Sequence, residues 1–106
     1  MRDLFVAAIH GKKKVRVEFH SNEDRRVIYR VCAPLDIGPS SRSYDKTPRY
    51  HLWDYDSDTK QHVLSLLPVK IVTLETLEDS FEPSEFVTWD LRASPWKIPR
   101  DWGQFS

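Results

Sequence analysis

Residues that could do chemistry are thinly spread in this chain. The four histidines, His10, His20, His51 and His62, stand at no metal-pair spacing, and Cys32 is the only cysteine. A zinc site built on paired Cys and His ligands is therefore not encoded. Asp54, Asp56 and Asp58 alternate like the opening of a calcium loop, but the sixth and twelfth places hold Thr59 and Ser65 instead of Gly and Glu. A solvated turn accounts for these acids, since Asp and Ser favour turns. Neither a Gly-x-Ser-x-Gly elbow nor a phosphate loop nor a dinucleotide fingerprint is present, and 3 glycines could hardly build one. Ser, His and Asp residues occur, but no spacing picks out a triad, which geometry alone defines. The expectation is a protein with no catalytic residue, no metal and no cofactor, and so not an enzyme.

One constellation remains. Arg30 falls in one predicted strand, Tyr50, His51, Trp53 and Tyr55 crowd the next, and Lys70 opens a later one. Strand residues of one parity share a face, so His51, Trp53 and Tyr55 should be neighbours. An aromatic strand flanked by cations suits an anion that carries a flat ring, such as a nucleotide. The same pattern also fits a Trp53 or Tyr55 that fills the core while Arg30 and Lys70 stay solvated.

The elements that must position these residues are mostly strands. Arg2 to His10 reads as a short helix with Leu4, Ala7 and Ala8 at helical spacing and Phe5 and Ile9 widening its apolar side, ended by Gly11 in the left-handed conformation. Val15 to His20 alternates cleanly, with Val15, Val17 and Phe19 on one side. After a polar turn, Arg26 to Ile37 forms a long second strand whose odd residues, Val27 to Ile37, share the core face, with Pro34 marking a bend or bulge. Gly38 to Pro48 reads as a mobile loop. Strands follow over Arg49 to Tyr55, Gln61 to Leu67 and Val69 to Leu77, with a helical turn near Pro83 and Ser84. One helix and five short strands suggest a small, strongly bent sheet or barrel. The tail from Val87 carries Trp89, Trp96 and Trp102, which should pack on the domain or on a partner.

Length and charge narrow the class. At 106 residues with 40% hydrophobic and 30% charged residues, the chain suits a single globular domain. Lys+Arg and Asp+Glu total 16 each, which excludes a histone-like role. The charge is nevertheless segregated. Residues 1–50 hold 11 Lys+Arg against 6 Asp+Glu, and residues 51–106 hold 5 against 10. Either the halves neutralise each other on folding, or a basic patch survives to attract phosphate. With one cysteine no internal disulfide can form, and no apolar run reaches spanning length, so a cytoplasmic protein without a membrane segment is expected.

In order and spacing, these segments resemble the WYL domain of bacterial transcriptional regulators. The similarity runs through Ala7-Ala8-Ile9, Val15-Arg16-Val17-Glu18-Phe19 and Arg30-Val31-Cys32-Ala33-Pro34-Leu35. Tyr50-His51-Leu52 stands where the family has its naming Trp-Tyr-Leu triplet, followed by Trp53-Asp54-Tyr55-Asp56. Leu64-Ser65-Leu66, Lys70-Ile71 and Phe81-Glu82-Pro83 complete the match over about residues 3 to 86. The resemblance implies a mostly β, Sm-like, five-stranded β-barrel with one short N-terminal helix over 1–86, and the Trp- and Pro-containing tail over 87–106 lies beyond the matched part. It also implies a ligand-binding site formed by Arg30, Tyr50, His51 and Lys70. Departures from the family pattern are Tyr for Trp, His for Tyr, Lys for Arg at 70, and Ser65 where an Arg is common. Lys cannot supply the bidentate fork of Arg.

Two functions are thus expected from the sequence. The first is a WYL-like regulatory module that recognises a nucleotide or single-stranded nucleic acid, in transcription regulation or a prokaryotic defence system. The family's usual winged helix-turn-helix is not among these residues, so sequence reading by a helix is not expected. The second is an interaction adaptor or homo-oligomer that docks through Trp89, Trp96 and Trp102, residues of a type enriched in interface hot spots.

Overall fold

The computed structural model describes residues 1–40, 44–56 and 61–106. The Ser41–Ser43 part of the expected loop and the Asp58 and Thr59 part of the acidic alternation lie outside them. Helix α1 (Arg2–Gly11) buries Phe5, Ala8 and Ile9. It runs one residue further than the glycine suggests. Lys12, at φ 53 and ψ 45, takes the left-handed position, and its N–H reaches Ala8 and Ile9 carbonyls. The backbone bonds that close the helix there offset the roughly 1 kcal/mol that a side chain costs in this conformation.

Five strands follow: β1 (Lys13–Ser21), β2 (Arg26–Pro39), β3 (Pro48–Asp54), β4 (His62–Leu66) and β5 (Ile71–Ser80). They form one antiparallel sheet in the order β4-β3-β2-β1-β5. The expected closed barrel is therefore corrected to an open sheet with β4 and β5 at its edges. The physical reason lies at Pro68, which cannot donate to a ladder. Pro68–Lys70 coils into a 3-10 turn instead of carrying β4 straight into pairing with β5.

The strand parity also differs from expectation. Val15, Val17 and Phe19 pair with Cys32, Arg30 and Ile28, so it is the even residues of early β2 that share the core side of β1. Val27 and Tyr29 are correspondingly 45% and 53% exposed. A register shift between Pro34 and Asp36 inserts one residue, and a one-residue insertion flips every side chain after it. Leu35 and Ile37 thereby join the buried set. Downstream of Val31, every residue from Cys32 to Gly38 is buried, which requires cover on both faces.

The tail supplies the second cover. Glu82 and Glu85 form a capping box around the turn Pro83–Glu85, which sends the chain back over the sheet. Phe81, Phe86 and Trp102 then meet at ring separations of 5.4 to 6.4 Å. Trp96 stacks edge-on against both Trp89 and Trp102. The Trp102 indole N–H donates to the Ile9 carbonyl at 2.9 Å, tying the tail to the end of α1. Asp36, in the bulge, accepts the Lys97 and Ile98 N–H groups at 2.8 and 3.0 Å. Among the described residues, no helix is long and apolar enough to cross a membrane.

Arg100 holds this cover in place. Its side chain is fully buried with its guanidinium between the Trp96 and Trp102 rings, 3.9 and 4.4 Å from their centroids. It donates to the Leu35 and Ile98 carbonyls and to Asp36. Burial lowers its pKa to about 10, against the opposing pull of Asp36. Removing one partner of a buried pair leaves the other charge uncompensated. Arg100→Ala should cost about 3–5 kcal/mol in urea unfolding, and Arg100→Lys should not restore it, because an ammonium cannot fill a flat slot between rings. A loss below about 1 kcal/mol would show that the tail is held by its apolar rings alone.

Candidate functional site

The structure brings two of the four expected site residues together. Arg30 and Lys70 both line a cleft of about 290 Å³. Its walls come from the end of β1, the β1–β2 turn, β2, β3, β4 and the Pro68–Lys70 turn. Phe19, Ile28, Leu64 and Leu66 give it an apolar lining, and Arg49 and His62 add further nitrogen donors. These residues meet because β1 and β2 are joined by a tight turn while β4 lies two strands from β2 in the same bent sheet.

Tyr50 and His51 lie elsewhere. Tyr50 is buried, with the Phe5 ring edge-on at 4.8 Å, and burial raises its phenol pKa. His51 faces the other way, as neighbouring strand residues must. Its Nε2 contacts the Gly38 carbonyl at 2.8 Å and its Nδ1 the Ser65 hydroxyl at 2.7 Å. A carbonyl only accepts, so Nε2 carries the hydrogen. The ring thereby bridges β2 and β4 across β3. Trp53 and Tyr55 share that face. Trp53 stacks on Phe86 of the tail at 5.7 Å, and Lys14 stands over the Tyr55 ring at 4.3 Å. Arg30, which shares the face of Asp54, therefore lies on the opposite side of the sheet from the aromatic row, whereas Arg49 has the row's own parity.

Within the cleft Arg30 is partly committed. Its Nε lies 3.5 Å from Asp54 Oδ2, and its Nη1 donates to the Tyr29 carbonyl at 3.0 Å. Asp54 is buried, with only 3% of its side chain exposed, and its Oδ1 accepts the Asp56 N–H at 2.8 Å. Burial raises its pKa, opposed first by that N–H and then by Arg30 and His62. Lys70 Nζ donates to Asn22 Oδ1 at 3.3 Å, joining the hairpin tip to the turn before β5. Arg49 keeps its Nε buried with no hydrogen-bond partner among the described residues, its closest acid being Asp45 at 3.9 Å.

Asp54 and Arg49 were not expected in the site. Asp54 could have been found from parity, since it is the register partner of Cys32, which follows Arg30 by two. Cys32 is fully buried, and burial followed by the Asp54 charge pushes its thiol far up, so it is no nucleophile. Among the described residues no group of three or more His, Cys, Asp or Glu side chains could hold a metal. Comparisons with protein-family models, curated proteins and solved structures returned no match.

The raised pKa of Asp54 has a definite sign in stability. The folded chain takes up this proton at a higher pH than the unfolded chain. The stabilisation is therefore complete below the unfolded value of about 4 and is lost as pH rises through the folded value. In urea unfolding, the stability of Asp54→Asn relative to the wild type should therefore rise from about pH 4 to about pH 7. A difference that stays flat or falls over that range would contradict the burial account of Asp54.

Proposed function

We propose that this protein is a non-catalytic, WYL-like binding module whose cleft takes the phosphate of a nucleotide or a single-stranded nucleic acid. The observation that carries the reading is the convergence of Arg30, Arg49 and Lys70, from three separate segments, on one apolar-lined cleft. The Nε–H of Arg49 is buried with no hydrogen-bond partner among the described residues, and a buried donor without a partner is stabilised by gaining an acceptor. The apolar lining of Phe19, Ile28, Leu64 and Leu66 suits a sugar or base edge. A role in transcription regulation or prokaryotic defence follows from the family resemblance.

The charges around the site are mixed. Two ion pairs join the oppositely charged halves of the sequence, Arg30 with Asp54 and Arg100 with Asp36. In the β1–β2 hairpin the exposed Arg25 and Arg26 follow Glu23 and Asp24, which line the cleft. The adaptor reading draws less support, because Trp102 is 3% exposed and Trp89 and Trp96 pack against the chain's own core.

Fluorescence anisotropy with a labelled oligothymidine tests the reading. Affinity should fall as salt rises, since each phosphate contact releases counterions. Lys70→Ala should weaken binding about tenfold, the scale of one charge-assisted hydrogen bond, and reduce the salt slope by about 0.7. Binding that ignores both salt and Lys70 would remove the cleft as a phosphate site.

A further inference from the structure

We propose that Asp54 makes the cleft selective for a singly charged phosphodiester over a doubly charged phosphate monoester, a proposal that rests on reading the cleft as a phosphate site. The carboxylate is buried at the base of the cleft and its Oδ2 lies 3.5 Å from Arg30 Nε. Tyr29 occupies Arg30 Nη1, so an incoming anion meets the remaining edge of the guanidinium. An anion there stands roughly 6 Å from Asp54, the breadth of the guanidinium plus hydrogen-bond lengths. Two negative charges at that distance repel appreciably, and a buried carboxylate is poorly screened by salt.

The charge balance of the lining points the same way. Among the described residues the cleft is lined by Arg30, Arg49 and Lys70 against Glu23, Asp24 and Asp54. Asp24 is held by the Ser21 hydroxyl at 2.9 Å, and Asp54 is held by Arg30. No surplus of positive charge is left to neutralise a dianion. A phosphodiester brings one negative charge, whereas a phosphate monoester carries about −1.5 to −2 at neutral pH. One charge finds the Arg30 edge and Lys70, and the second falls within reach of Asp54. The selectivity is therefore electrostatic, a rejection built into the floor of the cleft.

The test uses the full chain and calorimetric titration at about pH 8, where a monoester is fully dianionic. The probes are the four ribonucleoside 5′-monophosphates and their methyl esters, which keep base and sugar but carry one charge. The methyl esters should bind about tenfold more tightly. Asp54→Asn should bring the two series to within about threefold, with the monoesters gaining. Monoesters that bind the wild type as tightly as their esters, or more tightly, overturn the selectivity and leave the phosphate site standing. If Asp54→Asn does not fold, the wild-type comparison decides alone. Absence of binding by both series removes the phosphate site and the selectivity together.

Discussion

The structure depends on a single buried guanidinium. Arg100, near the end of the chain, reaches back to the Leu35 carbonyl and the Asp36 carboxylate of β2 while lying between two indole faces. The bulge that presents those two acceptors also reverses the parity of β2. One local irregularity thus does two things. It turns Leu35 and Ile37 into the core, and it offers the polar anchor to which the tail is fastened. Without the tail, the outer face of Cys32 to Gly38 would meet water.

That division of faces decides what the protein can do. The tail claims the side of β3 that bears His51, Trp53 and Tyr55, and its own Phe86 stacks on Trp53. His51 is spent on bridging Gly38 and Ser65. What remains open is the other end of the sheet, where the β1–β2 turn, β4 and the Pro68–Lys70 turn surround the cleft. There the nitrogen donors are incompletely satisfied: Arg49 Nε has no partner among the described residues, and the Arg30 contact with Asp54 is long. Packing of the tail over one part of the sheet thereby leaves these donors incompletely satisfied at another.

Much of this was legible in the residues, and the exceptions have physical reasons. The alternation of Val15, Val17 and Phe19 announces β1 and its buried side, and the Phe81-Glu82-Pro83-Ser84-Glu85 run announces the turn that redirects the chain. The side on which Arg30 falls was not legible, because it depends on register with β1, which only the fold of the Ser21 to Arg25 turn sets. The bulge was hinted at by Pro34 but not located. The open sheet followed from Pro68, whose effect could equally have been a kink within a closed barrel. The role of Arg100 was invisible, since nothing near it in sequence announces Asp36 as its partner, 64 residues away.

The most direct measurement of the central claim is a proton–nitrogen NMR titration of the full chain with a short single-stranded oligonucleotide. It reports on both faces of the sheet at once. The account predicts shifts at the side-chain Nε–H groups of Arg30 and Arg49 and at the amides of Asn22 and Lys70. The indole signals of Trp89, Trp96 and Trp102 should stay in place. Shifts confined to the indoles, with the arginine signals still, would contradict it and move the binding surface to the tail.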